Sequence, residues 1–271
     1  MIKVLIRGAG DLASGVAMAF YKSGFQVLMT EVAQPTVIRS TVAFATSVFK
    51  GQMEIEGVKS IHVTKENYQD YLDSGNIGII IDPLGEIKEK FKPDILIDAI
   101  LAKKNIGTKI DDAPIVIGCG PGFFAGEDCH LVIETKRGHY LGQVITKGSA
   151  IPNSGVPGII EGKGLERVLY SPIAGKVEHF KKIGDMVNEG DIILKVEEIM
   201  VMSPFKGVLR GLITEGMIVP KGMKIGDIDP RLDPQYCFTI SEKAMAIGRA
   251  AVEGTLLMGN KINLFGVEKY E

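Results

Sequence analysis

The stretch IRGAGDLASG, residues 6–15, decides how the first half of the chain is read. Gly8, Ala9, Gly10 and Ala13 follow a G-x-G-x-x-A pattern directly after an apolar run (2–6) and open an amphipathic stretch (11–22). In that setting the pattern is a dinucleotide fingerprint. The first glycine allows the turn, and the second lets a pyrophosphate approach the backbone. Ala13 lets helix and strand pack closely, and the helix N-terminus favours an anion. Glu31 ends the next apolar run, 23 positions after Gly8, where a carboxylate would hydrogen-bond a ribose. Asp11 leaves two readings open. It stands inside the phosphate loop, where a carboxylate can contact a ligand directly. It can also cap the free N–H groups of its own helix and repel a phosphate, which leaves an empty βαβ unit.

Apolar runs at 2–6, 26–30, 60–63, 78–82 and 94–100 alternate with helix-like stretches at 11–22, 36–49, 65–74 and 84–91. This alternation predicts an α/β domain with a Rossmann-like, mostly parallel sheet. Three more strands are expected at 114–118, 130–135 and 140–146. Between the first two lies a second glycine loop, GCGPGFFAG (118–126). Gly120, Pro121 and Gly122 would present backbone N–H groups at a strand end, where α/β folds bind ligands. Cys129 and His130 are neighbours on a strand, so they point to opposite faces and do not make a metal site.

Residues 148–164 are dense in Gly, Pro, Asn and Ser and place a domain boundary near Gly164. An internal repeat follows. With an offset of 32, Ser171, Pro172, Gly175, Gly184, Val187 and Gly190 meet Ser203, Pro204, Gly207, Gly216, Val219 and Gly222. Neither unit can bury both faces alone, so the two must pack together. Such paired halves are similar to the biotinyl/lipoyl-type barrel-sandwich hybrid. The segment VEEIMVMSP (196–204) occupies the place of that fold's carrier hairpin, but no lysine lies between Lys195 and Lys206. Neither biotin nor lipoate is expected. A C-terminal helix is predicted over 239–258, with Ser241 as its N-cap and many small residues for close packing. The expected organisation is an α/β domain over 1–164, the hybrid β domain over 165–230 and a helical segment over 231–271.

Of the 271 residues 45% are hydrophobic, enough for one large or two modest cores, and the net charge of −2 does not favour nucleic acid. No apolar run reaches the ~20 residues of a membrane helix, so neither a membrane nor a nucleic acid is an expected partner. The three cysteines, Cys119, Cys129 and Cys237, form no CxxC pair, and the four histidines form no i, i+4 pair. These counts argue for a reduced, cytoplasmic protein without a zinc site.

Several stretches together resemble one family: RGAGDLASG, TEVAQPTVIRSTVAFA (30–45), GPGFFAGEDCHLVIETKRGHYLG (120–142), PNSGVPG (152–158), KIGDIDPR (224–231) and CFTISEKAMAIG (237–248). They are similar to the YqeB-type accessory proteins of selenium-dependent molybdenum hydroxylase systems, related in role to XdhC-type factors. The resemblance implies a maturation factor whose partner is a molybdenum hydroxylase apoenzyme. The implied ligand is a molybdopterin-type cofactor or its dinucleotide, with phosphates on Gly8, Gly10 and Asp11 and on Gly120, Pro121 and Gly122. Cys237 matches a cysteine of the C-terminal motif. It lies a few residues before a capped helix, so a thiolate is one reading and an inert buried thiol the other. It is the one catalytic candidate, and whether the protein is an enzyme stays open. An NAD(P)-dependent oxidoreductase and a scaffold without a small ligand are the alternatives.

Overall fold

The computed structural model describes residues 1–266, so the last five residues of the expected C-terminal segment lie outside the described residues. The first part of the chain runs β1 (Lys3–Arg7), α1 (Asp11–Lys22), β2 (Gln26–Glu31), α2 (Ser47–Lys50), β3 (Gln52–Ile55), β4 (Val58–Val63), α3 (Tyr68–Asp73), β5 (Ile77–Ile81), α4 (Lys88–Phe91), β6 (Ile95–Asp98), β7 (Ile115–Cys119), β8 (Leu131–Ile133) and β9 (Val144–Ile145). It continues through β10 (Val168–Tyr170), β11 (Gly175–His179), β12 (Met186–Val187), β13 (Ile192–Val196), β14 (Ile199–Met202), β15 (Gly207–Leu212), β16 (Ile218–Val219) and β17 (Lys224–Asp229), and ends in α5 (Glu242–Lys261).

The first nine strands form one sheet in the order β3-β4-β5-β2-β1-β6-β7-β8-β9. Its interior pairs are parallel, but β3–β4 and β8–β9 are antiparallel. The expected Rossmann-like domain followed by a biotinyl/lipoyl-like barrel-sandwich hybrid is therefore corrected. The architecture is a nine-stranded mixed sheet joined to two four-stranded antiparallel sheets. Three local causes separate expectation from structure. The stretch read as a helix over 36–49 forms two short 3₁₀ turns and the four-residue α2. The hairpin β3–β4 turns at Glu56 and Gly57, both with positive φ (47° and 78°). A glutamate gives no sequence signal for that conformation. The link from β6 to β7 contains no helix.

The strands alternate faces as their apolar pattern requires. Val4 and Ile6 pack with α1 and α5 on one side, while Leu5, Leu28 and Leu96 pack with Tyr68, Leu72 and Phe91 on the other. The C-terminal helix thus completes the core of the N-terminal sheet. It crosses α1 at bare backbone. A Cβ on Gly248 would lie 2.4 Å from the Gly15 carbonyl oxygen, and one on Gly15 would lie 2.6 Å from that of Ala244.

In the two small sheets, ordered β10-β17-β15-β12 and β14-β13-β11-β16, each repeat lends its two-residue strand to the other. β12 of the first repeat pairs with β15, and β16 of the second pairs with β11. The tip between β13 and β14 is tied down rather than displayed. The Glu197 carboxylate accepts from the Lys176 N–H at 2.6 Å.

The α1–α5 crossing yields a prediction. An alanine in a helix normally gains about 0.5–1 kcal/mol over glycine. At Gly248 the added methyl must displace backbone, a cost of about 1–3 kcal/mol. Gly248→Ala should therefore destabilise the fold in urea denaturation. An unchanged or raised midpoint would show that the helices can part freely.

Candidate functional site

The parallel strands deliver their carboxyl ends to one side of the sheet, the side where open α/β sheets hold ligands. The fingerprint loop lies there, yet the chain itself covers it. Gly8 has φ +92°, and a Cβ on it would stand 3.0 Å from the Ile100 Cα. Ala9 is fully buried. Its N–H donates to Glu31 Oε2 at 2.9 Å, and its carbonyl accepts the Ala45 N–H at 2.8 Å. Glu31 also accepts the Val32 N–H at 2.8 Å. Both carboxylate oxygens of Glu31 therefore hold backbone. A Cβ on Gly10 would meet only Val37 Cγ1, at 3.7 Å. Asp11 does not cap α1; no side-chain bond caps that helix, and the carboxylate pairs with Arg39 Nη1 at 3.2 Å.

The second glycine loop is shaped by packing. Cβ atoms on Gly120 and Gly122 would each fall 2.6 Å from a neighbour, Thr135 Oγ1 and the Lys104 Cα respectively. Of that loop, Pro121 alone lines the cavity described next. Cys237 is buried, with its Sγ 3.7 Å from the Leu209 carbonyl oxygen, and burial pushes its thiol up to about 11. Of the two readings of Cys237, this placement favours the inert buried thiol. Burial raises Cys129 to about 11 as well, and raises Cys119 further still. Among the described residues no group of three or more His, Cys, Asp or Glu side chains could hold a metal ion.

Between the mixed sheet and the small sheets lies a cavity of about 550 Å³. This volume falls in the ~300–1,000 Å³ range of small-molecule sites. The first turns of α1 and α5 both open onto it, through Asp11 and Leu12 and through Ser241 and Lys243. Its lining holds seven cationic side chains, Arg39, Lys136, Arg137, Arg167, Arg210, Lys224 and Lys243, against two carboxylates, Asp11 and Asp227. All four arginines there are partnered, Arg39 by Asp11. Arg167 meets Asp227 at 2.5 Å and Arg210 meets Asp229 at 3.0 Å, while Arg137 pairs with Glu242. Arg39 and Arg210 each donate to the Tyr236 carbonyl at 3.3 Å.

The crowding shows in the titration of these groups. Burial lowers Arg210 to about 10, and the charge of Arg39 adds to the fall. Desolvation of the head group likewise lowers Lys224, whose side chain as a whole is exposed, and the half-buried Lys243; Asp227 opposes the shift at Lys224, whereas Arg137 reinforces it at Lys243. Burial alone would raise Asp229, but hydrogen bonds from Arg231 and the charge of Arg210 hold it below the usual carboxylate range. The cavity wall at 151–160 is anchored by Glu134, a buried carboxylate just after β8. It accepts the Lys136 and Ile151 N–H groups at 2.6 and 2.7 Å. Of these residues the sequence suggested only Asp11 and Pro121. The one visible signal for the rest was a charged residue, Arg210, inside the otherwise apolar strand GVLRGL.

The protein YqeB of Escherichia coli, described as uncharacterized, is 48% identical over 256 residues, or 94% of this chain. The match supports a YqeB-type protein. The chain spans about half, 47%, of that relative's length. No protein-family profile matches it. Solved structures similar to it include an aspartoacylase family protein of Mesorhizobium loti, at 12% identity, TM-score 0.27 and 84% of each chain. A succinylglutamate desuccinylase of Silicibacter matches at 11% identity, TM-score 0.26 and 84% of each chain. Likeness at these scores assigns this chain no activity. None of these proteins is described as a molybdenum hydroxylase accessory factor, and the sequence relative carries no assigned role. The expected maturation function is corrected on that finding, and the YqeB-type likeness stands without it. Among the described residues no helix is long and apolar enough to cross a membrane.

Two outcomes follow. In the folded protein none of the three cysteines should react quickly with a thiol reagent near neutral pH, whereas all three should after guanidinium denaturation. Fast labelling of Cys237 in the native state would contradict its buried placement. Asp229→Asn should destabilise the protein by about 3–5 kcal/mol, since it strands the buried Arg210 without its countercharge; denaturant titration measures this.

Proposed function

We propose that this protein binds a small anionic molecule in the cavity between its mixed sheet and its two small sheets. One observation carries this reading: of the seven cations that line this one cavity, the four arginines are each paired with a carboxylate of the protein, whereas Lys136, Lys224 and Lys243 add three charges that none of the described carboxylates pairs. Such an imbalance is costly without an anion, because like charges repel most where water is scarce. Two helix N-termini at the same place add positive potential. The Nε of Arg39, a side chain about nine-tenths buried in the cavity wall, has no hydrogen-bond partner. The anionic groups of a cofactor, if that is the ligand, would on this reading meet the Arg39 and Lys243 side of the cavity rather than the covered backbone at Ala9.

The test is thermal unfolding at constant ionic strength with phosphates, sulfate and carboxylates against chloride. A ligand that binds only the native state stabilises it by RT ln(1 + [L]/Kd). At least one multivalent anion should raise the midpoint beyond the chloride control. Lys243→Glu, which reverses one charge of the wall, should remove that rise while leaving the fold intact. If no anion in the panel shifts the wild-type midpoint, the cavity is not an anion site.

A further inference from the structure

The cations of the cavity are not equivalent. Arg39, Arg137, Arg167 and Arg210 each hold a carboxylate of the protein itself. Lys136, Lys224 and Lys243 line the same cavity and have no carboxylate within ion-pair distance among the described residues; Lys136 is exposed beside Arg137, and the two that stand on separate walls are Lys224, exposed at its strand head, and the half-buried Lys243. They come from different walls. Lys224 begins β17 in one small sheet, and Lys243 lies in the first turn of α5, which packs on the mixed sheet. A cation in the first turn of a helix faces the positive end of the dipole, where an acidic residue would stabilise the helix instead. Its neighbour Glu242 is already committed to Arg137.

Resting on the anion-binding proposal above, we infer that the ligand carries at least two anionic groups, one taken by Lys243 at the start of α5 and the other by Lys224 with Arg167 on the small-sheet wall. The natural class is a diphosphate or bisphosphate. A phosphoryl group offers several acceptor oxygens to charge-assisted donors, and two of them would reach the ammonium groups of both walls. A single monoanion would leave one wall without a countercharge. The cavity also contains a less polar side, formed by Leu12, Pro121, Ile151, Val156 and Ile159. A ligand with an apolar body attached to its phosphates would use both kinds of lining, as small-molecule sites commonly do.

The experiment titrates the full chain with sodium orthophosphate, pyrophosphate and tripolyphosphate by calorimetry at fixed ionic strength. Three variants accompany the wild type: Lys224→Gln, Lys243→Gln and, away from the cavity, Lys59→Gln. Pyrophosphate or tripolyphosphate should bind at least about tenfold more tightly than orthophosphate. Each cavity variant should lose roughly tenfold or more of that advantage, the worth of one charge-assisted hydrogen bond. Lys59→Gln should change nothing, which separates a built site from general attraction to a polyanion. Unliganded Lys243→Gln should unfold at the wild-type temperature or above, since it removes a cation from the helix start.

Equal affinities for the three phosphates would overturn the two-ended ligand while leaving single-anion binding in place. So would a full polyphosphate advantage in either cavity variant, or an equal loss in Lys59→Gln. Failure of every phosphate to bind, with another anion still stabilising the protein, would also sink this inference alone. Failure of all anions would sink both.

Discussion

The carbonyl oxygen of Tyr236 accepts hydrogen bonds from Arg39 and from Arg210, each at 3.3 Å. The three residues come from three parts of the chain. Arg39 lies on the connector after β2, Arg210 in β15, and Tyr236 in the turn that leads to α5. One backbone acceptor therefore ties the mixed sheet, a small sheet and the C-terminal helix together. The same connector touches both layers elsewhere. The Ile38 carbonyl accepts the Leu212 N–H at 2.6 Å, and the Ala45 N–H closes onto Ala9. Two buried guanidinium groups at one carbonyl are tolerable only because each also has a carboxylate, Asp11 for Arg39 and Asp229 for Arg210. Buried charge without a partner costs several kcal/mol. The cavity is what remains when these groups are held in place with more cations than the protein neutralises.

The same connector closes over part of the fingerprint turn through the Ala45 N–H on the Ala9 carbonyl. Gly8, Gly10 and Ala13 allow the turn, the exposed helix start and the close helix packing for which such residues are suited. Nothing in their spacing says whether the space above them stays open. Residues 42–47 are buried against that turn, and Phe44 takes the Ser14 hydroxyl through its N–H at 2.8 Å. Gly8 and Ala9 are closed over by this packing, whereas Gly10 keeps Val37 Cγ1, 3.7 Å from an added Cβ, as its nearest neighbour. Asp11 carried the warning. A carboxylate at a phosphate loop belongs there more naturally when its partner is an arginine of the same chain.

Local pattern made much of the sheet legible. Alternating apolar runs located β1, β2, β5, β6 and β7 within a few residues, because burial on both faces of a parallel sheet demands continuous hydrophobicity. The small residues of α5 foretold a close crossing, but not that its partner was α1, more than 200 residues earlier, since a glycine–glycine contact leaves no mark on the intervening sequence. The hairpin at Glu56 was hidden because a glutamate stands before Gly57, where Asn, Asp or Gly normally announces such a turn. The cavity was least legible of all. Arg39, Arg167, Lys224 and Lys243 sit in four unrelated stretches, each of which reads as ordinary solvated charge until the fold turns them toward a common space.

The repeat fits the same logic. Exchange of β12 and β16 between the halves makes two sheets that cannot form separately, so the pair becomes a stiff block. Its hairpin tip is fastened by Glu197 to the backbone of Lys176, and Lys195 is taken by Glu178 at 3.1 Å. A block with its hairpin pinned cannot serve as a moving arm. It can hold fixed positions. β10, β15 and β17, together with the turn before β10, place Arg167, Arg210, Asp227 and Lys224 on one wall of the cavity. Stiffness matters there, because several cations crowded together would otherwise move apart and into water. The strand exchange keeps them near one another when no anion is present, so the repulsion is met during folding and an arriving anion need not gather them.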